Sequence, residues 1–119
     1  MFTQAVLDHF QNPRNAGELS AANTQIEVSN PICGDVLRVS ARIESGVIRE
    51  VRFLCRGCTA SIACASVLTE SIHGRELNEL NSITPEFLAA SLGGLPPASF
   101  HAATLARDAL RQLLRVAAK

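Results

Sequence analysis

Tryptophan and tyrosine are missing from this chain, and its aromatic residues are five phenylalanines. Modules that read single-stranded nucleic acid stack bases on aromatic faces, and this chain has little to offer them. Neither sign of charge is in excess, with eleven Lys and Arg against eleven Asp and Glu. Nucleic acid and anionic membranes both favour clustered Lys and Arg, so neither is expected as a partner. No apolar run approaches the roughly 20 residues of a membrane-spanning helix. The N-terminal residues lack the apolar stretch of a secretory signal. A cytoplasmic protein is expected, in a compartment where thiols stay reduced. No internal repeat or low-complexity segment interrupts the 119 residues, and 47% of them are apolar. That is enough material for one core, and the expectation is a single domain spanning 1–119.

Cysteine, by contrast, is concentrated. Three of the four cysteines fall within Cys55–Cys64. Four cysteines in a reducing compartment point to metal or sulfur chemistry before disulfides. A β-rich run through Val51 and Phe53 ends at Arg56-Gly57, and helical spacing begins just after. Cys58 is therefore expected at a strand-to-helix junction, near the positive end of a helix dipole, where anions are stabilised. A thiolate forms more readily there than at a free cysteine, whose pKa is about 8.5. Gly57 is read as the residue that lets the backbone turn tightly and leaves the sulfur accessible. Cys64, about 120° further round the helix at 100° per residue, reads as a small core residue. Cys55 follows Val51 and Phe53 on the buried face of its strand, yet lies three residues from Cys58, so a ligand role for it stays open.

The rest of the chain alternates between two periods. Phe2, Val6, Leu7 and Phe10 recur at helical intervals, which predicts a helix over 2–10. Its His9, a lone histidine, reads as structural. Asn12–Gly17 supplies turn residues. Ile26 and Val28 alternate with polar neighbours, Val36–Ile43 reads as a second strand and Val47–Leu54 as a third. Val47, Val51 and Phe53 share its core face, and Glu44-Ser45-Gly46 makes the hairpin turn between. Arg38, Arg42, Arg49 and Arg52 are assigned to a solvated outer face. Thr59–His73 reads as a helix closed by Gly74 at C′, and Glu76–Leu80 as one further turn. Thr84-Pro85-Glu86 opens another helix with Pro at N1. Gly93–Pro97 is a stiff exposed link, and Ser99 is the expected N-cap of the last helix. There Leu105, Ala109, Leu113 and Val116 form one stripe, widened by Leu110 and Leu114. The fold class is α+β: a three-stranded antiparallel sheet with helices packed on one face.

Three sites compete for chemistry: Cys33-Gly34-Asp35 in the turn before the second strand, Cys58, and His101 at the start of the last helix. Aspartate in a turn usually bonds its own backbone, so Cys-Gly-Asp alone is a weak signal. Taken together, thiolates, an imidazole and a carboxylate suit zinc, iron or a small iron–sulfur cluster.

Val6-Leu7-Asp8-His9-Phe10 and Asn12-Pro13-Arg14-Asn15 resemble the opening of the IscU/NifU/SufU-type iron–sulfur cluster scaffolds. Cys33-Gly34-Asp35 is similar to their first cysteine motif. Gly57-Cys58 with Ala60, Ile62-Ala63 and Ser66 resembles the second, and Leu95-Pro96-Pro97 followed by His101 the third. Order and spacing agree along nearly the whole chain. The resemblance implies a SufE/NifU-like fold of the class derived above and a scaffold or carrier rather than an enzyme. Iron and a transient [2Fe-2S] cluster would be held by Cys33, Asp35, Cys58 and His101. The implied partners are a cysteine desulfurase and acceptor apo-proteins. Without a long insertion between Gly57-Cys58 and Leu95-Pro96-Pro97, the chain is nearer the IscU/NifU branch than the zinc-binding SufU branch.

Two positions depart from the pattern. The family's third cysteine, next to the histidine, is Ala102 here, and a methyl group neither ligates metal nor carries a persulfide. The family's Leu-Pro-Pro-Val-Lys segment reads Leu95-Pro96-Pro97-Ala98-Ser99, and the missing lysine argues against docking of an Hsp70-type chaperone. A zinc-bound sulfur acceptor using the same four side chains is the alternative, followed by a degenerate paralogue kept as a binding partner. Cys55-Arg56-Gly57-Cys58 also spells a redox Cys-x-x-Cys. The hairpin pattern before it and the absent tryptophan place that reading last.

Overall fold

The computed structural model describes residues 1–32 and 34–118. Its elements follow in the order α1 (Gln4–Gln11), β1 (Thr24–Ser29), β2 (Val36–Glu44), β3 (Val47–Arg56), α2 (Thr59–Ile72), α3 (Pro85–Ser91) and α4 (His101–Ala117). Short 3₁₀ turns, Leu77–Ser82 and Pro97–Ser99, precede α3 and α4 respectively. The three strands form one antiparallel meander in the order β1-β2-β3. Among the described residues there is no parallel βαβ unit before Cys58, so the thioredoxin-like reading of Cys55 and Cys58 lacks its framework.

Strand alternation explains the layer. Ile26, Leu37, Val39, Ala41, Val51 and Phe53 are buried and form one cluster with the apolar faces of α2 and α4. On the other face Glu27, Arg38, Arg42 and Glu50 pair across strands as ion pairs. Their side chains are partly exposed, so the pairs contribute little to stability. Helix α1 packs on α2, and α4 lies against β1, β2 and α2. The rim of β3 is met by single bridges from Ala16, opposite Phe53, and Glu76, opposite Val47.

Four local expectations are corrected. Val47 does not share the core face of Val51 and Phe53: it is half-buried, and Ile48 is buried instead. The register shifts between Arg42 and Ile43, with Ile43 opposite Ile48 and Arg42 opposite Glu50, which leaves Arg49 as the extra residue of a bulge. An extra residue reverses the facing of everything beyond it. In α1 the buried positions are Val6 and His9, whereas Phe10 is exposed. Ser99 does not cap α4: it ends the 3₁₀ turn, and Phe100 occupies the N-cap without a side-chain bond. The prolines at 96 and 97 set that turn, and the helix continues from it directly. The stripe of α4 ends at Leu113, since Val116 is exposed.

Other helix boundaries follow their local chemistry. Thr84 Oγ1 accepts the Phe87 amide with Pro85 in the first turn of α3, and Gly74, at φ +78°, closes α2 as only glycine does without strain.

Candidate metal centre

Three segments distant in sequence meet at one end of the sheet. Asp35 ends the β1–β2 loop, just before Val36. Gly34 there has φ +76°, its amide reaches the Asn30 carbonyl at 2.7 Å, and the Asn30 amide reaches the Asp35 carbonyl at 2.8 Å. These bonds fix where Asp35 leaves the loop. Cys58 is the N-cap of α2, extended at φ −77°, ψ 171°, so its side chain projects from the end of the helix. His101 is the first residue of α4, delivered by the 3₁₀ turn in which the Ser99 amide bonds the Pro96 carbonyl at 2.8 Å.

One donor atom from each of Asp35, Cys58 and His101 lies within 4.8 Å of the other two. The Asp35 carboxylate is buried at 5% exposure, while His101 is half-buried and Cys58 exposed. Cys58 Sγ stands 3.7 Å from Asp35 Oδ2, and His101 Nε2 stands 3.8 Å from the same oxygen. The second distance is too long for a hydrogen bond. Both match the edges of a tetrahedron of ligands, about 3.3–3.8 Å when metal–ligand bonds are about 2.0–2.3 Å.

The imidazole is also set for this role. His101 Nδ1 lies 3.1 Å from the Ala98 carbonyl, which can only accept. Nδ1 therefore carries the hydrogen, and in the neutral ring the lone pair is on Nε2, facing Asp35. A backbone carbonyl in this place is the usual orienting partner of a ligating histidine. The donor set of one sulfur, one nitrogen and one oxygen fits a divalent metal ion.

Gly57 serves the site for a different reason from the one its sequence position gave. Its φ is not positive, and what matters is space. A Cβ built there would lie 2.8 Å from Asp35 Cγ and 3.0 and 3.1 Å from the two carboxylate oxygens. Hydrogen at this position is what lets the carboxylate approach α2.

Cys55 and Cys64 are not part of this group of donors. Cys64 is fully buried, and burial pushes its thiol up to about 12. Burial also pushes the Cys55 thiol up to about 11, helped by the negative charges of Asp35 and Cys58. Thiols that hold their protons so firmly are poor nucleophiles. Cys55 stands opposite Leu37 on the core face of β3, half-buried against the core, and also borders a groove of about 420 Å³ with Leu54 and Arg56. Cys33, the fourth ligand expected from the sequence, lies outside the described residues. Ala102 is 1% exposed and packs into the core.

Ser61 was not legible as a site residue. Its hydroxyl donates to Asp35 Oδ2 and lies 3.3 Å from Cys58 Sγ. The only sequence signal was the three-residue spacing from Cys58, which places both on one helix face.

Residues 1–116 match the family described as NifU-like N terminal domain. The chain is 40% identical over 114 residues to iron-sulfur cluster assembly scaffold protein IscU 1 of Archaeoglobus fulgidus, covering 96% of this chain and 74% of that protein. It is 37% identical over 118 residues to the IscU scaffold protein of Azotobacter vinelandii, covering 96% and 91% respectively. The fold is shared with the N-terminal part of a nitrogen-fixing NifU-like protein from Brucella abortus, at TM-score 0.77 and 18% identity over 95% of this chain and 91% of that one. With the family match running nearly end to end and close relatives agreeing over the same span, the chain belongs to the NifU-like N terminal domain family.

Proposed function

We propose that the chain is an iron–sulfur cluster assembly scaffold: it takes up iron, carries a transient [2Fe-2S] cluster and passes it to acceptor proteins. The observation that carries this reading is the convergence of Asp35, Cys58 and His101 within 4.8 Å in a chain whose relatives are named as such scaffolds. Cys33, two residues before Asp35, is the fourth ligand. The roles divide by chemistry. Cys58 and Cys33 supply soft thiolates, His101 an imidazole nitrogen, and Asp35 a harder oxygen that iron and zinc both accept. Imidazole in place of thiolate has precedent in Rieske-type centres. A cysteine desulfurase supplies the sulfur. Ser99, where the family resemblance places lysine, leaves an Hsp70-type chaperone without its contact.

A second reading, a zinc-bound sulfur acceptor, is supported by the 3.7 and 3.8 Å donor spacings, which suit one tetrahedral ion. Anaerobic reconstitution with ferrous iron, cysteine and desulfurase separates the two. A scaffold develops visible sulfide-to-iron absorption with acid-labile sulfide, and Cys58→Ser loses both. A colourless protein holding zinc supports the second reading. Ala102→Cys, which adds a thiol next to His101, is expected to raise cluster yield and lifetime. Wild type and this variant both failing to gain sulfide or cluster would leave a binding partner that has given up assembly.

A further inference from the structure

Of the ten buried positions in helix α2, seven hold apolar side chains or cysteine, with alanine at 60, 63 and 65. Three buried hydroxyls interrupt that pattern: Ser61, Ser66 and Thr69. Two of them fasten the N-terminal segment. Ser66 Oγ accepts the Arg14 amide at 2.8 Å and lies 2.8 Å from His9 Nδ1. Thr69 Oγ1 lies 3.1 Å from the Arg14 carbonyl. Ser61 does something else. At 2% exposure it is turned toward the metal centre, where it donates to Asp35 Oδ2 and sits 3.3 Å from Cys58 Sγ. A buried hydroxyl costs free energy unless it is bonded, and alanine would fill this turn as its neighbours do.

We propose that Ser61 is a positioning residue of the metal site: it anchors the Asp35 carboxylate to the helix turn that carries Cys58, and so sets how tightly the site holds a divalent metal. This rests on reading the cluster as a metal site and adds to it a residue that itself binds no metal.

The geometry gives the mechanism. Asp35 sits at the end of a loop, and carboxylate rotation about χ2 is soft and roughly two-fold. Three neighbours converge on Oδ2 rather than sharing both oxygens: Ser61 Oγ, Cys58 Sγ at 3.7 Å and His101 Nε2 at 3.8 Å. Each carboxylate oxygen has two acceptor positions. The Ser61 hydroxyl occupies one on Oδ2 and leaves the other for an ion between sulfur and imidazole. Ser61 is the third residue of α2 and Cys58 its N-cap, so both atoms ride on the same turn. The oxygen-to-sulfur spacing is thereby set by a helix and not by the loop that bears Asp35. Gly57 closes the remaining side, its bare Cα allowing the carboxylate to lie against the chain.

The test uses the full chain with zinc, titrated against a chromophoric chelator, and with Co²⁺ as a spectroscopic stand-in. Ser61→Ala is expected to lose about 10–100-fold in zinc affinity, the range found when a ligand's hydrogen-bond partner is removed. Its Co²⁺ visible spectrum is expected to change, because the oxygen ligand is no longer held. Ser61→Thr keeps the hydroxyl and is expected to retain wild-type affinity and spectrum. Metal-free melting temperatures identify any variant that has simply lost its fold. If Ser61→Ala matches wild type in affinity and Co²⁺ spectrum, or if a well-folded Ser61→Thr falls as far as Ser61→Ala, the proposal is overturned. Wild type that takes up neither metal overturns the metal-site reading as well.

Discussion

A methyl group added at Gly57 would stand 2.8 Å from Cγ of Asp35, a separation that packed carbon atoms do not tolerate. Neither party is a flexible side-chain end: one is backbone and the other a buried carboxylate held by Ser61. Gly57→Ala therefore expels the carboxylate or spreads the β3–α2 junction. Zinc affinity is expected to drop by at least the 10–100-fold assigned to loss of an orienting contact, read by chelator competition. The helix itself gains no strain, because this glycine does not use a left-handed conformation. Gly34, at φ +76° with nothing within 4 Å of a built Cβ, is the opposite case, in which conformation and not space requires glycine.

Helix α1 is held to α2 by a titratable group. His9 is buried at 8% exposure and bonds Ser66. Burial, then the Arg14 charge, holds its pKa below the ordinary 6.5, against the smaller opposing pull of Glu70 and Asp8. Below pH 6.5 the unfolded chain takes up a proton at His9 and the folded chain resists it. Stability contributed here is complete above 6.5 and falls as pH drops toward the lowered folded value, by up to about 1.4 kcal/mol per pH unit. The melting temperature is expected to fall between pH 7.5 and 5.5, and His9→Gln to flatten that slope. Asp8, held below its ordinary 3.8 by Arg14, titrates outside this window. That His9 is structural was readable from the chain, since a lone histidine in an amphipathic helix offers no second ligand. Its partner Ser66 was not, because a serine in an alanine-rich helix carries no periodic signal. Elements themselves were legible where apolar spacing or a cap was strong, as at Thr84-Pro85 and Gly74. The β3 bulge at Arg49 was hidden, since Val47 and Ile48 are both apolar and either could face the core. Cys58 and His101 were legible as ends of elements, whereas their sharing of one Asp35 oxygen depends on long-range packing.

At the scale of the whole molecule, positions 35, 58 and 101 belong to three segments that meet only in the folded state. A ligand bound there stabilises the folded chain by mass action, about 2.7 kcal/mol at 100-fold excess over its dissociation constant. Zinc is expected to raise the melting temperature by several degrees, and Cys58→Ser to abolish the shift. Cys64→Ser is expected to lower the metal-free melting temperature and keep the shift, because its fully buried sulfur belongs to the core and not to the site. Calorimetry with and without zinc reads both.

The rims of a sheet are also where chains find one another. An unpaired strand edge is a template for a second copy, and long, apolar edges lead to fibres. On β3 the bridges from Ala16 and Glu76 already use part of that template. The opposite rim, β1, is six residues long with Gln25, Glu27 and Ser29 exposed. Both edges are thus poor seeds for aggregation, and crowded copies of the chain can stay separate without polymerising through their sheets.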